Sequence, residues 1–141
     1  MLKIWHRDAL KHTIRSHLGP VYALGSVQDF LFTGGAEGVI RKWSISALLE
    51  DRPPMSEADL HEEPIWDLAI NKNKSVLLTA SADQSHKMLR YGSETFQLIS
   101  EISHKDGLTS VEWLTDSRFV SGFAQRNILG VFDAERRCMV W

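Results

Sequence analysis

The sequence predicts an all-β fold built from repeated four-stranded antiparallel sheets, and three observations support this. The segment from 17 to 43 contains three strand-length apolar runs, VYALGSV, FLFT and VIRKW, which are separated by turn-forming residues. Related segments recur from 61 to 91 and from 104 to 133. No long apolar pattern with the 3.6-residue period of a helix accompanies them.

Three histidines mark the start of the repeats. His17, His61 and His104 lie 44 and 43 residues apart. The residues that close the third run of each repeat follow nearly the same spacing. A period of about 40–45 residues with four strands per unit is typical of β-propeller blades. We therefore predict an all-β protein made of such blades.

The spacing divides the chain into four segments. Residues 1–16 are the end of a partial blade, 17–60 are blade one with an acidic, proline-containing insertion, 61–103 are blade two, and 104–141 are blade three. The predicted strands lie near 2–5, 12–15, 21–26, 29–33, 39–44, 57–61, 65–70, 75–80, 85–91, 96–102, 108–114, 117–122, 127–133 and 136–141.

Three and a half blades do not close a propeller, which typically has four to eight. The first and last sheets would leave edges and an apolar face uncovered, and such surfaces invite pairing or aggregation. We therefore expect an incomplete ring. The chain is then a fragment, the product of a truncated gene model, or one part of a ring whose remaining blades come from elsewhere.

An insertion, SISALLEDRPPMSEADL, separates Trp43 from His61. It contains four acidic residues against a single arginine, Arg52, together with Pro53-Pro54. This composition is typical of a solvated loop. We predict a flexible surface insertion, and the alternative is a docking loop for a basic partner.

The composition is that of an ordinary globular protein. It is 43% hydrophobic and 24% charged with a net charge of −2, which gives no strong attraction to nucleic acid or anionic membranes. Cys138 is the only cysteine, so an internal disulfide is excluded and a reducing compartment such as the cytoplasm is expected. No stretch is long and apolar enough to insert into a bilayer.

The repeats resemble WD repeats. That family places a histidine before the first strand, Ser or Thr in the second strand, Asp in the following turn and Trp near the end of the third strand. The resemblance implies that these four side chains form a hydrogen-bonded tetrad inside each blade, in which they satisfy one another away from water. The matching residues are His17, Thr33, Glu37 and Trp43 in blade one, His61, Thr79 and Asp83 in blade two, and His104 in blade three.

Several positions depart from this pattern. Glu37 replaces the usual Asp in blade one, and Leu89 replaces the Trp in blade two. In blade three we align Gly122 with the hydroxyl position, Arg126 with the Asp position and Phe132 with the Trp position. Trp5 fits the Trp position of the partial blade. We therefore expect degenerate repeats.

The order of three features is similar to that in the propeller of striatins. A Gly-rich turn, Thr33–Gly38, precedes the insertion; a Ser-Ala-Asp turn, Ser81–Asp83, follows; and a degenerate blade closes with Phe132. Striatins are non-catalytic scaffolds. The resemblance implies protein partners, namely phosphatase and kinase subunits of signalling assemblies that contain a type-two A serine/threonine phosphatase.

The residues themselves show no catalytic, metal-binding or cofactor-binding pattern. His61-Glu62-Glu63 has no second histidine four residues on, and Gly34, Gly35 and Gly38 have no following Lys-Ser/Thr. His6, His12 and His86 are isolated and are predicted at surface or strand positions. We therefore predict no enzyme, no cofactor, no metal and no nucleic-acid partner.

Protein binding is the better hypothesis. In WD repeats, the residue just after the first apolar position of the inner strand faces the upper surface, and those positions here are Tyr22, Trp66 and Thr109. Large aromatics are enriched in binding hot spots. The alternative is that Trp66 packs between blades. Rival functions are another WD-repeat adaptor, which recognises histone tails or ubiquitin-ligase substrates, and a fragment without independent function.

Overall fold

The computed structural model describes residues 1–140, which form fourteen strands and one short helix. The strands are β1 (Leu2–His6), β2 (Ala9–Ile14), β3 (Val21–Val27), β4 (Phe30–Gly35), β5 (Val39–Ser44), β6 (Ser56–Asp59), β7 (Ile65–Asn71), β8 (Val76–Ser81), β9 (Ser85–Arg90), β10 (Gln97–Ser103), β11 (Leu108–Trp113), β12 (Arg118–Phe123), β13 (Leu129–Asp133) and β14 (Cys138–Met139); the helix is α1 (Ile45–Leu48).

Within each sheet, strands that follow one another in sequence pair antiparallel. β1 and β2 form a hairpin, β3–β6 the first sheet, β7–β10 the second sheet and β11–β14 the third sheet. The described residues do not close into a ring. The predicted fold class, an incomplete propeller of antiparallel blades, is confirmed. The division of the chain at 16/17, 60/61 and 103/104 stays a prediction.

Two segments differ from the strand prediction. β2 begins at Ala9, because Arg7 and Asp8 both adopt positive φ and turn the chain in two residues. β14 spans two residues only, and the predicted end of this strand at Trp141 lies outside the described residues.

The insertion is not a loop throughout. Its first residues form α1, where the Ser44 hydroxyl accepts a hydrogen bond from the Ala47 N–H at 3.4 Å and caps the helix. Leu48 is buried against Trp43, and this contact anchors the start of the insertion. At 45–48 the predicted loop is therefore replaced by α1, because the apolar side chain of Leu48 packs into the core.

The core lies between the sheets. Alternate residues of a strand point to opposite faces, so each sheet contributes one set of side chains to each neighbour. The inner strands β3, β7 and β11 lie side by side. The buried clusters are Ala23, Phe32, Ile40, Ile65, Leu68, Leu77, Leu89 and Tyr91 between the first two sheets, and Ala69, Val76, Leu78, Ala80, Met88, Ile102, Leu108, Val111, Phe119 and Phe132 between the second and third.

A buried lysine also joins the first two sheets. The Lys42 ammonium donates to the backbone carbonyls of Tyr91 at 2.8 Å and Ser93 at 3.4 Å. It lies 4.3 Å from the centre of the Phe30 ring. Burial lowers the pKa of this lysine. The side chain starts on β5 and ends on the segment after β9, so it links the two sheets directly.

We expect Gly38→Ala to destabilise the chain by at least about 2 kcal/mol. Gly38 has φ +78°, and an added Cβ would lie 1.8 Å from the His61 carbonyl oxygen. Gly92→Ala is the matched control, since its Cβ would meet only the Ser75 side chain at 3.9 Å. Urea unfolding measures both. Equal stability of the two variants would contradict the strain at Gly38.

Candidate protein-interaction site

The structure brings the four tetrad positions of the first sheet together. The Trp43 indole N–H donates to Thr33 Oγ1 at 3.0 Å. His17 Nε2 lies 2.7 Å from the same oxygen, and His17 Nδ1 lies 2.5 Å from a Glu37 carboxylate oxygen. The longer side chain of Glu37 therefore reaches the histidine from the position where Asp is usual.

The hydrogen-bond partners in this tetrad determine the direction of the Thr33 hydroxyl proton and the tautomer of His17. Because Trp43 can only donate, the Thr33 hydroxyl proton is free to bond His17 Nε2. His17 then carries its proton on Nδ1 and donates to Glu37, and Arg41 Nη1, which lies 2.7 Å from that nitrogen, donates to the same carboxylate oxygen at 2.5 Å. Burial, helped by the positive charge of Arg41, lowers the pKa of His17 and outweighs the opposing effect of Glu37, so the neutral imidazole fits this chain of hydrogen bonds.

The second sheet has the same hydrogen bonds among histidine, threonine and acid, but it has no tryptophan indole. His61 Nε2 lies 2.7 Å from Thr79 Oγ1, and His61 Nδ1 lies 2.7 Å from Asp83. Leu89 is buried at the Trp position. The Thr79 hydroxyl also contacts the backbone carbonyl of Lys87 at 3.3 Å, which gives it a second partner.

The third sheet corrects two sequence alignments. Phe119 pairs with Phe132 and Ser121 with Gly130, as Leu31 pairs with Trp43 and Thr33 with Arg41 in the first sheet. This register puts Ser121, not Gly122, at the hydroxyl position, and the following turn then puts Gln125, not Arg126, at the Asp position. A shift of one residue exchanges the two faces of a strand, and counting along the sequence could not exclude it.

A histidine from the second sheet enters the third. His86 Nε2 lies 2.9 Å from Ser121 Oγ, and His86 Nδ1 lies 2.8 Å from His104 Nε2. The Ser121 hydroxyl donates to the Ser110 carbonyl at 2.6 Å, so it accepts from His86 Nε2–H. His104 Nε2–H therefore donates to His86 Nδ1. His104 reaches Ser121 only through His86.

The prediction that His86 is isolated is wrong. It lies on a strand, as expected, but it is 1% exposed and shares a face with the buried Met88. That alternation with an apolar residue was the one sequence signal for an inward-facing histidine. Burial is the main cause and His104 the second cause that lower the pKa of His86 to about 3.

The turn after β12 is stabilised in another way than the corresponding turns of the first two sheets. Here the backbone N–H of Gln125 donates a hydrogen bond to the Asp106 carboxylate at 3.1 Å.

Trp5 does not enter a tetrad. It lies on β1 beside a register shift and is 60% exposed. Only two strands of this blade are present within residues 1–140, so the alignment of Trp5 with the Trp position stays a prediction.

The three binding candidates share one backbone feature. Each inner strand has a register shift at its second residue, between Val21 and Ala23, between Ile65 and Asp67, and between Leu108 and Ser110. Tyr22, Trp66 and Thr109 are the residues skipped at these β-bulges. A bulge removes a residue from the ladder and redirects its side chain. We call these three positions the bulge surface.

Two members of the bulge surface are in contact. The Tyr22 and Trp66 rings lie 4.6 Å apart at 40°, and the two side chains are 44% and 39% exposed. Thr109 is exposed at the equivalent place on β11. Trp66 therefore packs on its neighbour across the first two sheets and still presents part of its ring to solvent.

We expect Thr33→Val to destabilise the chain by about 2–4 kcal/mol. The isosteric change leaves the Trp43 N–H and His17 Nε2 buried without their shared partner. Thr33→Ser, which keeps the hydroxyl and loses one methyl group, should cost about 1 kcal/mol. Urea unfolding compares them, and similar losses for both would show that the hydroxyl is unimportant.

We expect stability to fall in mild acid. The pKa of His86 is about 3 in the folded chain and about 6.5 when unfolded, so its contribution is complete above pH 6.5 and is lost as pH falls toward 3. From pH 7 to pH 5 the loss is about 2 kcal/mol from this residue. The pKa values of His17, His61 and His104 are also lowered by burial and act in the same direction.

Denaturant unfolding at both pH values measures this effect, with His86→Gln as the control variant. The glutamine does not titrate and keeps a side-chain N–H for Ser121. Its stability should change less between pH 7 and pH 5 than that of the parent chain. An identical change in the two proteins would exclude His86 as the cause.

Comparisons with known proteins agree with this architecture. Residues 54–88 match the family described as WD domain, G-beta repeat. The computationally designed Ika4 protein is similar in structure, with a TM-score of 0.75, 19% identity and coverage of 92% of this chain and 75% of that chain. At this identity the likeness shows the fold alone. Among the described residues, no helix has the length and apolar character needed to cross a membrane.

Two groups of curated proteins are similar in sequence. WD repeat-containing protein 55 of Bos taurus is 31% identical over 84% of this chain and 30% of its own length. Striatin-4 of Homo sapiens is 33% identical over 51% of this chain and 11% of its own length. A striatin homolog of Dictyostelium discoideum is 29% identical over 71% of this chain and 14% of its own length.

The chain thus spans less than a third of the length of each of these relatives. WD-repeat proteins are generally non-catalytic and bind other proteins. The matched repeat, the three antiparallel blades and these relatives together identify the chain as a WD-repeat protein that resembles striatins over part of its length.

Proposed function

We propose that this chain is a non-catalytic scaffold that binds partner proteins through the bulge surface. The observation that carries this proposal is the repetition of one β-bulge at the same place in all three inner strands. A bulge interrupts strand pairing, so its repetition where the sequence places exposed aromatics supports a binding role for those side chains.

The aromatic pair is suited to such a role. Tyr22 and Trp66 are held against each other at 4.6 Å, so little side-chain entropy remains to be lost on binding. Each ring also offers an apolar face with a polar edge, the combination enriched in hot spots. Exposed Thr109 extends the bulge surface to the third sheet.

We infer the assembly from the resemblance to striatins. It implies phosphatase and kinase subunits as partners, in a signalling assembly in the cytoplasm. The similarity to WD repeat-containing protein 55 extends over more of the chain, 84%, and supports the alternative of another WD-repeat adaptor, such as one for histone tails or ubiquitin-ligase substrates. A fragment that needs further blades for function is the third alternative.

We expect Trp66→Ala and Tyr22→Ala each to weaken partner binding by about tenfold or more, because each removes half of the aromatic pair. The free energy of unfolding should fall by only about 1 kcal/mol beyond the lost burial. Leu114→Ala is the matched control, since Leu114 is 55% exposed just after the opposite end of an inner strand.

Affinity purification of the tagged chain followed by binding assays with purified phosphatase and kinase subunits measures the effect. Recovery of other partners without these subunits would contradict the striatin-like assembly and favour another adaptor. Severe unfolding of the Trp66→Ala variant would assign this residue to packing. A parent chain that aggregates or melts without cooperativity would support the fragment alternative.

A further inference from the structure

A concave site lies at the opposite end of the inner strands from the bulge surface. β7 and β11 begin beside Trp66 and Thr109 and end at Asn71 and Trp113. Near these ends, a cavity of about 430 Å³ lies between the second and third sheets. We call it the interblade pocket. Its apolar lining consists of Val76, Met88, Ile99, Trp113 and Ala134.

The wall of the interblade pocket contains an unsatisfied polar group. Ser100 is 7% exposed, and its hydroxyl has no hydrogen-bond partner within residues 1–140. A register shift between Leu98 and Ser100 leaves Ile99 out of the ladder and 40% exposed. A buried hydroxyl without a partner is costly, so a polar atom bound next to this wall would gain a hydrogen bond from Ser100. This bulge therefore supplies both an apolar and a polar contact to one cavity.

The acidic side chains that line the pocket have hydrogen-bond partners, whereas two of its arginines form no salt bridge. Its two acidic residues already have partners, since Glu135 accepts from Lys74 at 3.3 Å and Asp116 from Asn73 at 3.1 Å. Arg90 and Arg137 are exposed and line the same pocket. Neither arginine forms a salt bridge within the described part of the chain. The lining has three basic side chains, Lys74, Arg90 and Arg137, against these two carboxylates, so its net charge is +1 even though Asp116, hydrogen-bonded to a neutral amide, keeps its negative charge.

We propose that the interblade pocket binds a short segment of a partner protein in which an apolar side chain stands next to an acidic residue. The apolar side chain fills the cavity against Trp113 and Met88. The adjacent carboxylate pairs with Arg90 or Arg137, whose planar guanidinium groups match its geometry. A polar atom of the segment satisfies the Ser100 hydroxyl. This surface differs from the bulge surface, so the inference goes beyond the proposed function.

NMR titration of the full chain with a defined peptide tests this proposal. The probe is an acetylated and amidated pentapeptide that has leucine between two aspartates and glycine at both ends. One control peptide replaces leucine with alanine, and the other replaces both aspartates with lysine. The Trp113 indole N–H, which donates to the Ala69 carbonyl at 3.2 Å, is a reporter inside the pocket.

We expect the aspartate–leucine peptide to shift the Trp113 indole and Ser100 amide signals and to bind about fivefold or more tightly than either control. Arg90→Glu combined with Arg137→Glu should weaken its binding by about tenfold and reverse the preference toward the lysine peptide. Arg126→Glu, a charge reversal in the turn between β12 and β13 at the opposite end of the third sheet, should leave binding unchanged.

Two further variants make the result unambiguous. Ala134→Leu narrows the cavity and should abolish binding while cooperative unfolding is retained; if it does not fold, the charge-reversal pair decides the question. Trp66→Ala should not alter this binding, which separates the interblade pocket from the bulge surface. Absence of Trp113 shifts at millimolar peptide, or equal affinity for all three peptides, would overturn the proposal.

Discussion

Burial of apolar faces between neighbouring sheets is the interaction on which the rest of the structure depends. A four-stranded sheet cannot bury both of its faces alone, so repeated sheets are stable only when stacked against one another. The second sheet is covered on both sides, by Phe32 and Ile40 from the first and by Phe119 and Phe132 from the third. The stability of each repeat therefore depends partly on the sheets that pack against it.

The hydrogen-bond networks of the histidines also depend on neighbouring sheets, but the three sheets differ in how much. In the first two sheets the histidine, threonine and acid lie within one repeat and satisfy one another. In the third, the buried Ser121 receives its hydrogen bond from His86 of the second sheet. The loss of the usual residues in the third repeat is thus compensated by a neighbour. Protonation of His86 in acid therefore weakens the interface between the second and third sheets as well as the second sheet itself.

Local pattern was enough to predict most of the strands, because apolar runs and turn residues are encoded in contiguous sequence, whereas the tetrad residues of the first two blades were implied by the resemblance to WD repeats. Three features were not predictable in this way. The register that selects Ser121 over Gly122 depends on pairing across β12 and β13. Ser121, a partner of His86, lies on another sheet, and Leu48 is buried in a cluster that includes the distant Leu2 and Ile14. Each of these depends on contacts between segments far apart in the chain.

Lys42 affects which blades pack against each other when a chain of similar repeats folds. Stacked blades resemble one another in shape, so shape alone would permit a blade to pair with the wrong neighbour, within one chain or between two chains. Lys42 needs the carbonyl oxygens of Tyr91 and Ser93, which the second sheet supplies. A neighbour that does not present two carbonyl oxygens at this place would leave the buried ammonium without acceptors, at a cost of several kcal/mol. This one side chain thus helps the first blade to recognise its correct successor.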